Sequence, residues 1–320
     1  MKQDDKHFCG LDFGTSNSTV ACARGDGSAL VPVEGDKTTI PSSIFFDFDD
    51  GSACFGRQAL QAYVDGQDGR LMRSLKSVLG HPLLDETVRI KRRAYTYGDI
   101  IGLLVAHLKR SADAAAGADV SQVVMGRPVH FVDDDETADR KAQDSLEAIA
   151  RAQGFRHVEF QYEPIAAALD YERTVAEEQY ALIADIGGGT SDFSIVRVSP
   201  QGRARADRSA DVLANTGVHI GGTDFDRLLS MKAVMPHFGL NSETKSHFGG
   251  KILAVPNAYF GDLATWHRIN LLYSQATLRE LNDLEKRSLA PALLRRLRNV
   301  VEQRQGHAIA LQVERAKIAL

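Results

Sequence analysis

Leu182-Ile-Ala-Asp-Ile-Gly-Gly-Gly-Thr-Ser-Asp-Phe-Ser-Ile-Val-Arg-Val198 is the stretch from which the fold is read. An apolar run ends in Asp185, three glycines follow, and a run with β-branched residues begins after Asp192. That pattern predicts strand, tight turn, strand. Gly187, Gly188 and Gly189 carry no Cβ, so their backbone amides can approach a ligand closely. Converging amides suit phosphate oxygens. Carboxylates at Asp185 and Asp192 beside a phosphate imply a bridging cation such as Mg²⁺. A glycine-rich surface hairpin has the same local pattern, and the rest of the chain decides between the two.

The pattern occurs a second time. Phe8 to Asp12 is a short apolar run ending in an acid, Gly14-Thr15-Ser16-Asn17-Ser18 turns, and Thr19 to Ala23 resumes the strand pattern. Asp12 corresponds to Asp185, and the Thr15-Ser16 turn to Gly188-Gly189-Thr190, which suggests an internal duplication with one phosphate-holding hairpin in each half. A P-loop would need a GK[ST] ending, which is lacking. No GxGxxG leads into a helix, which disfavours a dinucleotide fold.

The 320 residues suffice for two domain-sized units or one large unit with a deep cleft. A composition 43% hydrophobic and 25% charged is that of a soluble globular protein. The formal net charge of -4 argues against general nucleic-acid binding. Lys91-Arg92-Arg93 and Arg295-Arg296-Leu297-Arg298 read as solvated faces. Cys9, Cys22 and Cys54 have no CxxC spacing and are expected to be reduced, mostly buried thiols. Without a signal-peptide pattern or a long apolar run, a cytoplasmic protein with no membrane partner is expected.

Along the chain, Val31-Pro-Val, Thr39 to Phe46 and Ala53 to Gly56 read as short strands, and a helix begins at Gly56. Leu71 to Leu79 continues at helical spacing toward Gly80. Asp99 to Arg110 is predicted as a helix, followed by an alanine-rich linker from Ala112 to Ala118. After a strand over Val120 to Gly126, Asp133 or Asp134 is expected to cap a long helix ending near Gly154. Glu163-Pro164 opens another helix, with Pro164 tolerated at its first position. Pro200 to Ser209 reads as a polar hairpin. Gly221-Gly222 precedes a helix, either to present amides to an anion or to allow close backbone approach. From Met231 onward the pattern is mostly helical, with Trp266 and His267 read as packing residues. This alternation predicts an α/β architecture. The helical stretch over Val313 to Leu320 has no cap, and the sequence is expected to belong to a longer protein.

In combination these features resemble the ATPase domain of Hsp70 chaperones, in the superfamily shared with actin and sugar kinases. Leu11-Asp-Phe-Gly-Thr-Ser-Asn-Ser18 and Asp185-Ile-Gly-Gly-Gly-Thr-Ser-Asp192 resemble its two phosphate motifs. Glu163-Pro-Ile-Ala-Ala-Ala-Leu169 resembles its connecting helix. His219-Ile-Gly-Gly-Thr-Asp-Phe-Asp226 and Glu314-Arg-Ala-Lys317 resemble two further motifs, and all five stand in family order. The chain is thus similar to a short, divergent bacterial Hsp70-like protein.

The resemblance implies a duplicated ribonuclease H-like actin/Hsp70 ATPase fold, with two lobes around a nucleotide cleft. Residues 1–178 would form lobe I, with a small inserted subdomain over about 38–112. Residues 179–320 would form an incomplete lobe II, with a largely helical inserted subdomain over about 228–320. It implies ATP/ADP and Mg²⁺ as cofactors, with Asp12, Asp185 and Asp192 around the metal. Gly14, Thr15 and Ser16 would form the first phosphate turn, and Gly187, Gly188, Gly189 and Thr190 the second. Gly221 and Gly222 match backbone near the β-phosphate, and Glu314 and Lys317 match ribose and adenine contacts. Lys76 matches a lysine reaching the γ-phosphate; Glu163 and Asp192 are candidates to orient water or accept its proton, with Thr190 beside them. Ile318 stands where the family usually has an adenine-stacking arginine, and the second adenosine-binding glycine pair would lie beyond residue 320. Client polypeptides or a regulatory protein are the implied partners; no oligomeric state is implied. Competing expectations are a nucleotide-binding regulator with negligible turnover, a small-molecule kinase of the same superfamily, and a protein-interaction surface on the C-terminal helices.

Overall fold

The computed structural model describes residues 7–24, 27–132, 135–205, 207–246 and 250–320. The chain divides into two compact units, Met1–His219 and Ile220–Leu320.

In the first unit, β1 (Phe8–Phe13) alternates strictly, burying Cys9, Leu11 and Phe13 and turning Asp12 to the opposite face. It lies antiparallel to β2 (Asn17–Arg24), which pairs with β3 (Gly27–Leu30) and β4 (Thr39–Pro41). A second antiparallel set joins β5 (Ser43–Asp47) to β6 (Ala53–Phe55) and, beyond α1 (Gly56–Val64), to β7 (Gly69–Arg73). A hairpin of β8 (Thr87–Ile90) and β9 (Arg93–Thr96) then leads into α2 (Tyr97–Ala116). β10 (Gln122–Arg127) runs parallel to β1; after α3 (Glu136–Ala152), β11 (His157–Tyr162) runs parallel to β10. The resulting order, β11-β10-β1-β2-β3, has β1 at its centre. Leu11, Phe13, Val123 and Met125 share one core with Ile100, Leu104 and Leu108 of α2 and Leu146 of α3. Each such side chain contributes about 1.5–3 kcal/mol on burial.

From α4 (Glu163–Glu172) the chain enters three antiparallel strands, β12 (Gln179–Ile186), β13 (Ser191–Val198) and β14 (Val212–Val218). They repeat the order of β1, β2 and β3. Ile165 and Ala168 of α4 pack against Val196 and Val198 on one face, while Tyr180 and Leu182 are each 69% exposed on the other.

Local chemistry explains where the sequence expectations change. Leu71 to Arg73 is strand rather than helix, because β7 pairs with β5, and Ser74 at φ 58 breaks it before a 3-10 turn over Leu75–Val78. The alanine-rich segment is no linker. Alanine is the best helix former, and α2 runs through it to Gly117, started by a reciprocal capping box between Thr96 and Asp99. The cap of α3 is Asp135, which accepts from the Thr137 and Ala138 amides; Asp133 and Asp134 lie outside the described residues. Within Pro200–Ser209 the described residues form a 3-10 turn over Gly202–Ala204, with another over Ser209–Asp211, instead of a hairpin. Burial pushes the Cys9 thiol up to about 12 and also raises Cys22, in keeping with unreactive reduced cysteines.

The second unit contains α5 (Gly222–Leu229), a hairpin of β15 (Glu243–Lys245) and β16 (Ile252–Ala254), and α6 (Ala258–Leu263). α7 (Gln275–Arg287), α8 (Pro291–Glu302) and α9 (Gly306–Ala319) complete it. Its own core joins Phe260, Leu281, Leu294, Leu297 and Val301. Trp266 meets the His307 ring edge-on at 4.8 Å, a packing role as its sequence setting suggests.

Candidate nucleotide site

Asp12 ends the exposed face of β1, opposite Thr19 of β2, and the turn beyond it is tightly drawn. A Cβ on Gly14 would overlap the Asn17 carbonyl oxygen. Ser42 holds this turn: its hydroxyl donates to the Gly14 carbonyl at 2.7 Å and its amide donates to the Ser16 carbonyl at 2.8 Å. Thr15 and Ser16 are half-buried. The second turn closes through the Gly187 amide, which donates to the Thr190 carbonyl at 2.8 Å. The Thr190 hydroxyl donates to Asp192 Oδ2 at 3.0 Å. The two turns meet, since a Cβ on Gly188 would overlap the Ser16 hydroxyl. Only glycine allows that approach.

Lys76 and Glu163 lie 87 residues apart in sequence, yet Lys76 Nζ donates to Glu163 Oε1 at 2.6 Å. The 3-10 turn after Ser74 delivers the lysine. Glu163 opens α4, where the helix N-terminus favours an anion. Gly126, at the end of β10, leaves room between them and Asp12: a Cβ there would lie 3.4 Å from Glu163 Cγ and 3.6 Å from Asp12 Oδ1.

Charge is unbalanced here. Burial raises the Glu163 carboxyl above its usual range; Lys76 offsets part of this, and the Asp12 and Asp185 charges add to it. Burial likewise raises Asp12, with Lys76 opposing and Asp185 reinforcing. Asp12 keeps solvent-exposed area, so it is open to a ligand while protein on its other sides weakens its hydration. Asp185 and Asp192 stand directly opposite each other in the β12–β13 register. Like charges so placed repel. A Cβ on Gly217 of β14 would overlap Asp192 Oδ1, so that carboxylate also lies against bare backbone.

Several acids around one lysine suit a divalent cation carried with phosphate. Among the described residues no group of three or more His, Cys, Asp or Glu side chains forms a protein metal cage. Mg²⁺ needs none, because it keeps several waters and takes one or two carboxylates together with phosphate oxygens. The oxygen donors and the glycine cradle fit such a group.

In the second unit the Gly221 amide donates to Asp224 Oδ2 at 3.0 Å, and Gly222 begins α5. Lys317 on α9 donates to the Gly222 carbonyl at 3.0 Å and forms an ion pair with Asp226 at 2.9 Å. Glu314 lies one turn earlier on α9 and is half-buried, whereas Ile318 is 75% exposed. The structure therefore brings Asp12, Ser16, Lys76, Glu163, Asp185 and Gly188 together in one unit. Gly222, Asp226 and Lys317 are gathered in the other. Two shallow concavities, one including Val31 and His107 and the other Asp224 and Arg268, contain none of the first unit's site residues.

Sequence reasoning missed Ser42, Gly126 and Gly217. A glycine inside a strand pattern signals close backbone approach, so Gly126 and Gly217 carried a readable mark. Ser42, beside another serine, carried none.

Residues 8–244 match the family model described as Hsp70 protein. The chain is 31% identical over 231 residues to chaperone protein DnaK of Thermotoga neapolitana, covering 72% of this chain and 36% of that relative. It is 32% identical over 233 residues to chaperone protein DnaK of Thermotoga petrophila, with the same coverage. With that of Thermosipho africanus it shares 32% over 231 residues, or 71% of this chain and 35% of the relative. The match thus spans little more than a third of these relatives.

Proposed function

Because the chain belongs to the Hsp70 family, we propose that it binds Mg²⁺-ATP between its two glycine-hydroxyl turns and hydrolyses it to ADP and phosphate. The observation that carries this reading is the meeting of Ser16 and Gly188 beside the Lys76–Glu163 pair.

In this reading the amides of Gly14, Gly188 and Gly189, with the Thr15, Ser16 and Thr190 hydroxyls, bind and orient the phosphates, while the Gly187 amide closes the second turn on the Thr190 carbonyl. Asp12, Asp185 and Asp192 would hold Mg²⁺, in part through water. When bound, the ion supplies positive charge that offsets charge on the transferring phosphoryl group. Lys76 adds a fixed positive charge and helps to place the attacking water. Glu163 and Asp192 are the candidates to orient that water or accept its proton. Burial raises the Glu163 carboxyl, with Lys76 opposing. The glycine cradle keeps side chains out of the phosphate path.

The finer architecture belongs to the same proposal: two actin-like lobes, residues 1–178 and 179–320, with inserted subdomains over about 38–112 and 228–320. By the family resemblance Gly221 and Gly222 would serve the β-phosphate, and Glu314 and Lys317 the ribose and adenine. A cytoplasmic setting and client polypeptides or a regulatory protein as partners follow from the relatives by analogy alone.

Slow turnover with retained binding is a second reading, favoured by one observation. Lys317 is already engaged by Asp226 and the Gly222 carbonyl, and Ile318 offers no cation to stack on adenine. Calorimetric titration with ATP, with and without Mg²⁺, tests the binding step shared by both. Saturable binding that weakens without Mg²⁺ is expected; no binding in either condition would reject both readings.

A further inference from the structure

The far end of α4 carries a buried charge cluster that the proposed reaction does not use. Glu172, the last residue of the helix, is 0% exposed, Asp211 1% and Arg208 4%. Arg208 grips Glu172 with two guanidinium nitrogens, at 3.0 and 2.8 Å, and donates through Nε to Asp211. Arg205 donates to both Asp211 oxygens at 2.7 Å, and the Ser199 amide donates to Glu172 Oε1 at 2.9 Å. Arg203 reaches the helix end itself, donating to the Glu172 carbonyl at 2.9 Å and to the Val175 carbonyl at 3.0 Å.

All these partners come from the connection between β13 and β14. That connection follows the strand whose other end holds Asp192, and α4 bears Glu163 at its head. The cluster therefore joins the two site-bearing elements at their remote ends. Between the ends α4 meets the sheet through Ile165 and Ala168, while Ala166 and Ala167 are exposed. With Ile165 the one bulky side chain that α4 contributes to that cluster, apolar packing sets only loosely how far the helix slides along the sheet. A bidentate arginine–carboxylate pair fixes distance and plane together. Apolar replacements of buried ion pairs are often neutral or stabilising, so stability gives little reason for such a cluster, whereas a defined register does.

We propose that Arg208 is a positioning residue: by holding Glu172 it sets the register of α4 on β13, and so places Glu163 against Lys76. Its consequence for turnover rests on the ATPase reading; the placement itself does not.

The test measures acetylation of individual lysines by an N-hydroxysuccinimide ester, read by mass spectrometry on the full chain. Wild type is compared with Arg208→Lys, Glu172→Gln and Glu163→Gln. Lys109, held by Asp113 and Asp119, reports general loosening. The expected result is a rise of roughly tenfold in Lys76 labelling in Arg208→Lys and Glu172→Gln, the scale of losing one charge-assisted hydrogen bond. Lys109 should be unchanged, and Mg²⁺-ATP turnover should fall in kcat more than it changes in KM. If Arg208→Lys does not fold, the isosteric Glu172→Gln decides. Lys76 labelling at the wild-type rate in both clamp variants, with a rise in Glu163→Gln, would overturn the proposal. So would parallel rises at Lys76 and Lys109. If labelling follows the expected pattern but wild type releases no phosphate, the ATPase reading fails and the positioning role stands.

Discussion

Asp12 and Glu163 gain protons more readily in the fold than in the unfolded chain, because burial penalises their anions more than Lys76 helps them. Between the unfolded carboxyl range, about pH 4, and the raised folded values, the native state binds more protons. Their contribution to stability therefore falls as pH rises through that window. Asp12→Asn removes one such anion and should raise the unfolding temperature at pH 7, by about 2–4 °C per kcal/mol regained. The gain should shrink toward pH 4, and Mg²⁺-dependent ATP binding should be lost; thermal scans across pH with paired nucleotide titrations check both. At Gly188 the constraint is space. Gly188→Ala should weaken nucleotide binding by forcing the turns apart, and Ser16→Gly should restore part of that loss. A double-mutant cycle is expected to give coupling of about 0.5–3 kcal/mol; additive effects would mean that the turns do not meet.

At the scale of elements, α4 is held at both ends by charge and in the middle by the apolar contacts of Ile165 and Ala168. Burial raises the Glu172 carboxyl, but hydrogen bonds from Arg208 and the Ser199 amide outweigh it and leave it lowered. Asp211 shows the same balance, set by Arg208 and Arg205. These lowered acids add stability above the unfolded carboxyl range, lost as pH falls through their folded values. Arg208→Met leaves the buried Glu172 carboxylate without its cation and Asp211 to Arg205, and urea unfolding at pH 7 should show a loss of about 3–5 kcal/mol. That loss should diminish in acid. The glycine turns, the Asp12 and Asp185 strands and the head of α4 were legible in the sequence because spacing and residue type mark them locally. β7 was misread because its strand character comes from pairing with β5, information absent from residues 71–79. The clamp was illegible for a similar reason. Arg203, Arg205 and Arg208 look like a solvated polar turn until Glu172 is brought to them.

On the scale of the molecule, the second unit has a hydrophobic core of its own, with Phe260, Leu281, Leu294 and Leu297 fully buried. Residues 220–320 produced alone should retain helical circular dichroism and a cooperative thermal transition; a featureless melt would mean that this core does not suffice. Among the described residues no helix is long and apolar enough to cross a membrane. The family match sits over residues 8–244, which include both glycine turns, Lys76 and Glu163. Phosphate release from ATP, measured with and without Mg²⁺ in wild type and Lys76→Ala, shows whether that constellation hydrolyses ATP. Mg²⁺-dependent release by wild type is expected, with a loss of about 10²-fold or more in Lys76→Ala, the scale of removing one group that stabilises transition-state charge. Equal release by the two proteins, or none from wild type that binds Mg²⁺-ATP, would mean that it does not.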